Sequence, residues 1–120
     1  MEVISLDRNM EEAQKAIAYS EKILTKKVKR GRMTQEAADD FLKLITPTDD
    51  YEMLKDVDLI IEAVFERPDV KADVIKKTEA VIGKNVVFGS NTSTLPIGGL
   101  AKNSSRPDQF IGMHLSLIHI

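Results

Sequence analysis

The 120-residue sequence contains no cysteine and no tryptophan, and aromatic residues make up only 5% of it. Without cysteine the chain has no disulfide, no thiolate zinc site and no cysteine nucleophile, which fits a reducing compartment. Net charge is also nearly missing, because 17 basic residues oppose 19 acidic residues and leave a formal charge of −2. Such a chain has no overall field that would hold it on DNA or on an anionic membrane. We therefore expect no nucleic-acid partner.

Long hydrophobic runs are absent too. The longest apolar run, Val57–Val64, already contains Asp58 and Glu62 and is too short and too polar to cross a bilayer. The N-terminus, MEVISLDRN, lacks the basic-then-apolar order of a signal peptide. We expect no membrane span and a cytoplasmic location. A hydrophobic content of 42% and a charged content of 30% are typical of a globular chain of one domain.

What the sequence does contain is an alternation of strand and helix patterns. Apolar residues recur every three or four positions from Met10 to Arg30, where Gly31 ends the helix, and Thr34 caps a second helix that ends near Lys43. These two helices form a hairpin. Two further helices are predicted to begin at Pro68 and Pro96. The predicted strands are Glu2–Leu6, Leu44–Thr46, Asp58–Val64, Val86–Gly89 and Phe110–Met113.

This order of elements predicts an α/β fold with right-handed crossovers and a parallel sheet. The Asp58–Val64 run is so apolar that we expect helices to cover both faces of that strand. Ligands of such sheets bind outside the carboxyl ends of the strands. Polar residues follow four of the predicted strands, namely Asp7, Glu62 to Glu66, Ser90 to Ser93, and His114. The sequence therefore predicts a binding site at this edge.

Taken singly, these residues leave alternatives open. Asp7 is placed to bind the ribose hydroxyls of an adenine nucleotide or to serve only as a turn residue. The six glycines nowhere form the G-x-G-x-x-G phosphate loop that should precede such an aspartate. The polar turn Ser90–Thr94 either orients a substrate oxygen or caps the helix that Pro96 begins. His114 is either a general base or a structural histidine.

A basic stretch without acidic residues lies between Glu21 and Glu36. It is either a solvated helix face or a site for a polyanion such as the phosphates of an acyl carrier group. Interleaved aromatic residues, which would favour single-stranded nucleic acid, are lacking. The stretch comprises Lys22, Lys26, Lys27, Lys29, Arg30 and Arg32.

Five segments taken together resemble the NAD-binding domain of the 3-hydroxyacyl-CoA dehydrogenase family. They are MEVISLDRN, RGRMTQEAADDFLKLITPTDD, DVDLIIEAVFERPDVK, GSNTSTLPI and RPDQFIGMH. SNTSTLPI is most similar to the dehydrogenase part of multifunctional fatty-acid oxidation subunits, which also carry an enoyl-CoA hydratase. The resemblance implies an incomplete Rossmann-like parallel sheet with an inserted helical hairpin. In this interpretation residues 1–114 form a partial NAD-binding domain that lacks the first strand and the glycine-rich loop.

The same resemblance implies a reaction and its site residues. NAD would be the cofactor and (S)-3-hydroxyacyl-CoA the substrate, oxidised to 3-ketoacyl-CoA in fatty-acid β-oxidation, with no metal in the site. Lys26 and Lys29 in the basic hairpin would approach the CoA phosphates. Asp7 would hold the adenosine ribose, Ala63, Glu66 and Lys71 would line the nicotinamide half, Asn91 would shape the site, Ser93 would bind the 3-hydroxyl group, and His114 would be the base.

Departures from the family pattern suggest that the chain is a fragment. The family begins one strand and one helix earlier, and after His114 it continues with an F-N-P or F-S-P segment and a glutamate that orients the histidine. Here LSLIHI follows, so we interpret residues 115–120 as a non-family, artefactual tail. We expect an inactive isolated chain and an oligomeric parent. The alternatives are a non-catalytic dehydrogenase-like binding or structural protein, and a different NAD-dependent dehydrogenase, which should not combine the SNTS and GMH blocks.

Overall fold

The computed structural model describes residues 1–115, and these fall into two compact units, one of residues 1–53 and one that begins at Leu54. We call them the N-terminal unit and the C-terminal unit. The first contains strands β1 (Val3–Leu6) and β2 (Ile45–Thr48) and helices α1 (Met10–Lys29) and α2 (Gln35–Lys43). The second contains strands β3 (Leu59–Glu62), β4 (Val87–Asn91) and β5 (Phe110–Met113) and helices α3 (Pro68–Glu79) and α4 (Ile97–Ala101). Short 3₁₀ turns cover Tyr51–Leu54 and Pro107–Gln109.

The N-terminal unit is a two-stranded parallel sheet with the predicted helical hairpin. Asn9 caps α1 by accepting a hydrogen bond from the Glu12 N–H at 2.9 Å, and the Thr34 hydroxyl does the same for the Ala37 N–H at 3.2 Å. Gly31, with φ of 67°, occupies the left-handed region that ends α1. The two helices therefore begin and end where their capping residues predict.

The predicted boundary of β2 was wrong. We expected this strand to end before Pro47, but it continues through Pro47, which lies opposite Ser5 in the β1–β2 register. Proline lacks an N–H and is tolerated on an edge strand. In this two-stranded sheet β2 has such an edge, so Pro47 removes no bond from β1.

The C-terminal unit is a three-stranded parallel sheet in the order β3-β4-β5. One face packs against α3 and α4 through an apolar cluster of Ile75, Phe88, Leu100 and Phe110. The rings of Phe88 and Phe110, which are neighbours in the register, stack with their centroids 5.4 Å apart. This packing fixes the three strands side by side, so their carboxyl ends lie along one edge.

Three further expectations need correction. The sequence predicts one parallel sheet, whereas the described strands pair as two. The expectation that both faces of β3 are covered is also wrong, because Leu59 and Ile61 remain 50% and 49% exposed. Successive side chains of a strand point to opposite faces, and only Ile60 and Glu62 face the helices. Finally, Ser90 and Asn91 belong to β4 rather than to a turn, since they pair with Gly112 and Met113.

The proposed non-family tail, residues 115–120, lies outside the described residues except for Leu115. The predicted division into a domain of residues 1–114 and this tail stays a prediction. Within residues 1–115 no helix is long and apolar enough to cross a membrane.

Candidate active site

The candidate site is the edge of the C-terminal unit at which β3, β4 and β5 end. The register aligns Glu62 with Ser90, and Ser90 with Gly112. The segments that leave these strands carry most of the predicted site residues. Ala63, Glu66, Ser93 and His114 are exposed there, and Asn91 is half-buried.

Beneath this edge lies a buried polar cluster of Glu62, Lys71 and Ser90, which are 3%, 0% and 0% exposed. The Lys71 ammonium donates to both carboxylate oxygens of Glu62, at 2.9 and 3.1 Å. It also donates to the backbone carbonyl of Asn91 at 2.9 Å. The Ser90 hydroxyl and the Val64 N–H donate to the same carboxylate, the latter at 2.7 Å. Each buried charge is thus paired and hydrogen-bonded, as burial requires.

A second carboxylate, that of Glu66, binds the segment that follows β4. It accepts a hydrogen bond from the Thr92 hydroxyl and from the N–H groups of Ser93, Thr94 and Leu95, at 3.1, 3.3 and 3.4 Å. These bonds, the Thr92 hydroxyl first and then the backbone amides, lower the pKa of Glu66 to about 2 against the opposing effect of desolvation. Glu66 is therefore ionised at neutral pH and ties the end of β3 to the polar segment after β4.

Two hydrogen bonds, one on either side of His114 in the chain, hold its backbone beside that polar segment. The Thr92 N–H donates to the carbonyl of Met113 at 3.0 Å, and the Leu115 N–H donates to Oδ1 of Asn91 at 3.2 Å. These bonds join the residues on either side of His114 to Asn91 and Thr92. The structure thereby brings together the predicted base and the Asn-Thr-Ser segment, which are more than twenty residues apart in the chain.

The polar segment after β4 forms hydrogen bonds within its own turn and to β5. Thr92 accepts a hydrogen bond from the Leu95 N–H at 3.1 Å, so it shapes the turn before α4. Asn91 instead reaches β5, and the exposed Ser93 is free of that turn-forming bond. Pro96 caps α4 without any side-chain hydrogen bond. No side chain of this segment caps α4, and the role of orienting a substrate oxygen stays a prediction.

Asp7 belongs to the N-terminal unit, where it is exposed at the end of β1. Its N–H donates to the carbonyl of Thr48 at 3.1 Å, and its Oδ1 accepts from the Arg8 N–H at 2.7 Å. It therefore does act as a turn residue. A carboxylate at the end of a parallel strand is also suited to accept from ribose hydroxyls, so that role stays a prediction.

Lys71 is buried beneath the site edge and does not line its surface, where the resemblance put it. A residue that lines a cofactor must be accessible, yet its side chain is wholly buried and its ammonium is bound to Glu62 and Asn91. Glu62, Ser90 and Thr92 were expected only as part of the polar edge, and their hydrogen bonds to one another, to Lys71 and to Glu66 were not predicted. One signal was available for Glu62, since an acidic residue inside an otherwise apolar strand needs a buried partner.

The basic stretch of α1 borders an open depression of about 350 Å³ on the N-terminal unit. Lys22, Lys26 and Lys29 line it together with Glu21. The spacing of three and four residues places these lysines on one face of the helix. The structure thus gathers three of the six basic residues, including the two proposed to approach the CoA phosphates.

Comparison with known proteins decides the family. The profile of the family described as 3-hydroxyacyl-CoA dehydrogenase, NAD binding domain, matches residues 1–116. The chain belongs to this family. The fatty acid oxidation complex subunit alpha of Shewanella oneidensis is 43% identical over 108 residues, which are 90% of this chain and 15% of that protein. The chain thus spans about 15% of the length of this relative.

Solved structures of family members share the fold. (S)-3-hydroxybutyryl-CoA dehydrogenase PaaH1 from Ralstonia eutropha is 34% identical with a TM-score of 0.90, over 95% of this chain and 40% of that one. The 3-hydroxybutyryl-CoA dehydrogenase of Escherichia coli is 30% identical with a TM-score of 0.87, over 94% of this chain and 24% of that one. The Rossmann-like α/β architecture expected from the sequence is thereby confirmed.

Proposed function

We propose that this chain is the NAD-binding part of an enzyme that oxidises (S)-3-hydroxyacyl-CoA to 3-ketoacyl-CoA in fatty-acid β-oxidation. One observation supports the proposal most: the residues on either side of His114 are hydrogen-bonded to Thr92 and Asn91, the two residues that precede Ser93. Family membership and a relative that is named as a fatty acid oxidation complex subunit support it. The 120-residue chain alone is proposed to be inactive, because its sequence lacks the G-x-G-x-x-G loop that cradles a pyrophosphate.

The proposed mechanism needs a proton acceptor and a group that orients the reacting oxygen. Ser93 donates a hydrogen bond to the 3-hydroxyl oxygen of the substrate and holds it toward His114. His114, in its uncharged form, removes the hydroxyl proton as the carbon–oxygen double bond forms. The hydride that leaves C3 needs an acceptor, which is the chemistry that a bound NAD would supply. Both residues are exposed and can reach a substrate.

The residues present fit NAD in part. The carboxylate of Asp7 and that of Glu66 are exposed acceptors, and Ala63 offers an exposed small surface after β3. We propose that Asp7 binds the adenosine ribose and that Ala63, Glu66 and Asn91 line the nicotinamide side. Lys71 does not fit a direct contact because it is buried. The glycine loop is absent from this sequence, so the pyrophosphate has no proposed binding residues here.

The wider assignments are proposals as well. Lys26 and Lys29 provide positive charge for the CoA phosphates. We also propose a cytoplasmic location and an oligomeric parent, the latter from the resemblance to the family.

A graft tests the function. Residues 1–115 replace the matching segment of the Shewanella oneidensis subunit, and NADH formation from (S)-3-hydroxybutyryl-CoA is followed by absorbance. We expect activity in the graft, its loss in the His114→Ala and Ser93→Ala grafts, and none in the 120-residue chain. A folded graft that binds NADH and CoA but forms no product would refute the catalytic assignment and favour the non-catalytic alternative.

A further inference from the structure

We propose that Lys71 and Glu62 are positioning residues, which clamp the peptide between Asn91 and Thr92 and thereby orient Ser93 and His114. Lys71 acts through this peptide and does not touch the cofactor. The work assigned to Ser93 and His114 rests on the proposed function, whereas the clamp itself rests only on buried geometry.

The first argument is the hydrogen-bonding capacity of Lys71. An ammonium group has three N–H donors. Three acceptors lie within 3.1 Å of Nζ, namely the two carboxylate oxygens of Glu62 and the carbonyl of Asn91. A ligand would therefore have to displace one of these acceptors. It would also have to reach a side chain that is fully buried.

The second argument is what the Asn91 carbonyl controls. The carbonyl of Asn91 and the N–H of Thr92 belong to one planar peptide group. Lys71 holds the carbonyl of this peptide at 2.9 Å, and the carbonyl of Met113 holds its N–H at 3.0 Å. The peptide is thus fixed from both sides. Ser93 directly follows Thr92, and His114 directly follows Met113. Rotation of this peptide therefore displaces both residues.

The third argument is the role of Glu62. Its carboxylate accepts from Lys71 on α3, from the hydroxyl of Ser90 on β4 and from the N–H of Val64 after β3. It therefore joins three segments at the base of the site. A buried ion pair is often no more stabilising than apolar residues of the same size, so stability alone does not explain it. The pair is instead explained by position, because Glu62 holds Lys71 where its ammonium reaches the Asn91 carbonyl.

The test uses the graft and the 120-residue chain with Lys71→Met, and with the double substitution Glu62→Gln and Lys71→Met. The double variant leaves no buried charge unpaired, so the same measurements are made on it if the single variant does not fold. Lys76→Met is the matched control, because Lys76 lies exposed on the same helix. Three quantities are measured: the Kd of NADH from its fluorescence, kcat and KM of the graft, and the amide NMR signals of Thr92, Ser93 and His114 in the chain.

We expect both clamp variants to lower kcat by about 100-fold, as small misplacement of reacting groups does, while the Kd of NADH stays unchanged. We also expect shifted amide signals for Thr92, Ser93 and His114, with none of these effects in Lys76→Met. A raised Kd of NADH with kcat preserved would overturn the clamp and restore Lys71 as a cofactor contact. Unmoved amide signals would overturn it too, even if the graft proves inactive for reasons that concern only the proposed function.

Discussion

The two units of the chain differ in how far along the sequence their polar side chains reach. In the N-terminal unit the ion pairs join residues three or four apart on the exposed surface of a helix, as in Lys43–Asp40, whose side chains are 75% and 65% exposed. In the C-terminal unit Lys71 and Glu62 are buried, and the carboxylates of Glu62 and Glu66 reach residues 28 and 26 positions away. The ion pairs described in the first unit are local, whereas the second unit combines local surface pairs, such as Lys77–Asp73, with buried polar groups that join distant segments.

The largest effect is expected from a substitution that breaks the buried pair of Lys71 and Glu62. Lys71→Met leaves the Glu62 carboxylate buried without its counter-charge, so we expect a loss of about 3–5 kcal/mol in the free energy of unfolding. Lys43→Met removes an exposed pair of the N-terminal unit and should cost less than about 1 kcal/mol. Urea denaturation followed by far-ultraviolet circular dichroism measures both. If both variants lost the same free energy of unfolding, the buried pair would contribute no more to stability than the exposed pair, which would contradict this prediction.

A smaller effect is expected where β5 meets α4. A Cβ at Gly112 would overlap the Ile97 side chain at Cγ1 and Cδ1. Gly112→Ala should therefore cost about 1–3 kcal/mol, the usual range for overpacking. Gly98→Ala is the control, since a Cβ there meets no atom within 4 Å, and a helical alanine should stabilise slightly. Comparable stability of the two variants in the same denaturation experiment would show that α4 yields to the added methyl group.

The N-terminal unit should respond only locally. Thr34→Ala removes the hydroxyl that accepts from the Ala37 N–H, which should cost about 1 kcal/mol. Hydrogen exchange should then accelerate in the first turn of α2 and stay unchanged in β3, β4 and β5. Thr25→Ala, on the exposed surface of α1, provides a control with the same side-chain change. Faster exchange throughout the C-terminal unit would contradict this prediction.

The contrast between the units also explains which features the sequence could predict. Helix ends in the N-terminal unit depend on neighbours in the chain: Thr34 meets Ala37, and Gly31 follows α1. Such local chemistry is visible in the sequence, as is the apolar strand Phe110–Met113, whose bounds were confirmed. Pro47 shows the limit, because whether a proline ends a strand depends on which edge is paired.

The site itself was predictable only in part. The ends of parallel strands predicted that Ser93 and His114 lie at one edge, and hydrogen bonds join their neighbours, Thr92 to Met113 and Asn91 to Leu115. Motif resemblance, however, assigned Lys71 to the cofactor, because a motif reports which residue recurs and not which way its side chain points. Its burial depends on Glu62 and on Asn91, nine and twenty residues away, and nothing local in the sequence sets that geometry.

The smallest effect concerns two carboxylates whose pKa values are both lowered mainly by hydrogen bonds, but from donors of different charge. The uncharged Thr92 hydroxyl and the following amides hold the pKa of Glu66 at about 2, whereas hydrogen bonds from the charged side chains of Lys15 and Arg8 lower the pKa of Glu12 in the N-terminal unit. In both cases ionisation stabilises the folded state above the ordinary pKa of 4.5, and this stabilisation is lost as the pH falls toward the lowered value.

Salt separates charged donors from uncharged ones. At about 1 M salt, charges on the surface are screened over about 3 Å, which weakens the bonds from Lys15 and Arg8, so the pKa of Glu12 should rise part of the way toward its ordinary value. The donors to Glu66 are uncharged, so its pKa should stay low. Carboxyl carbon NMR titrations at low and high salt measure both, with Glu66→Gln and Glu12→Gln as assignment controls. If salt raised both pKa values alike, Glu66 would be governed by surface charge, and its bonds to the segment after β4 would not hold that segment in solution.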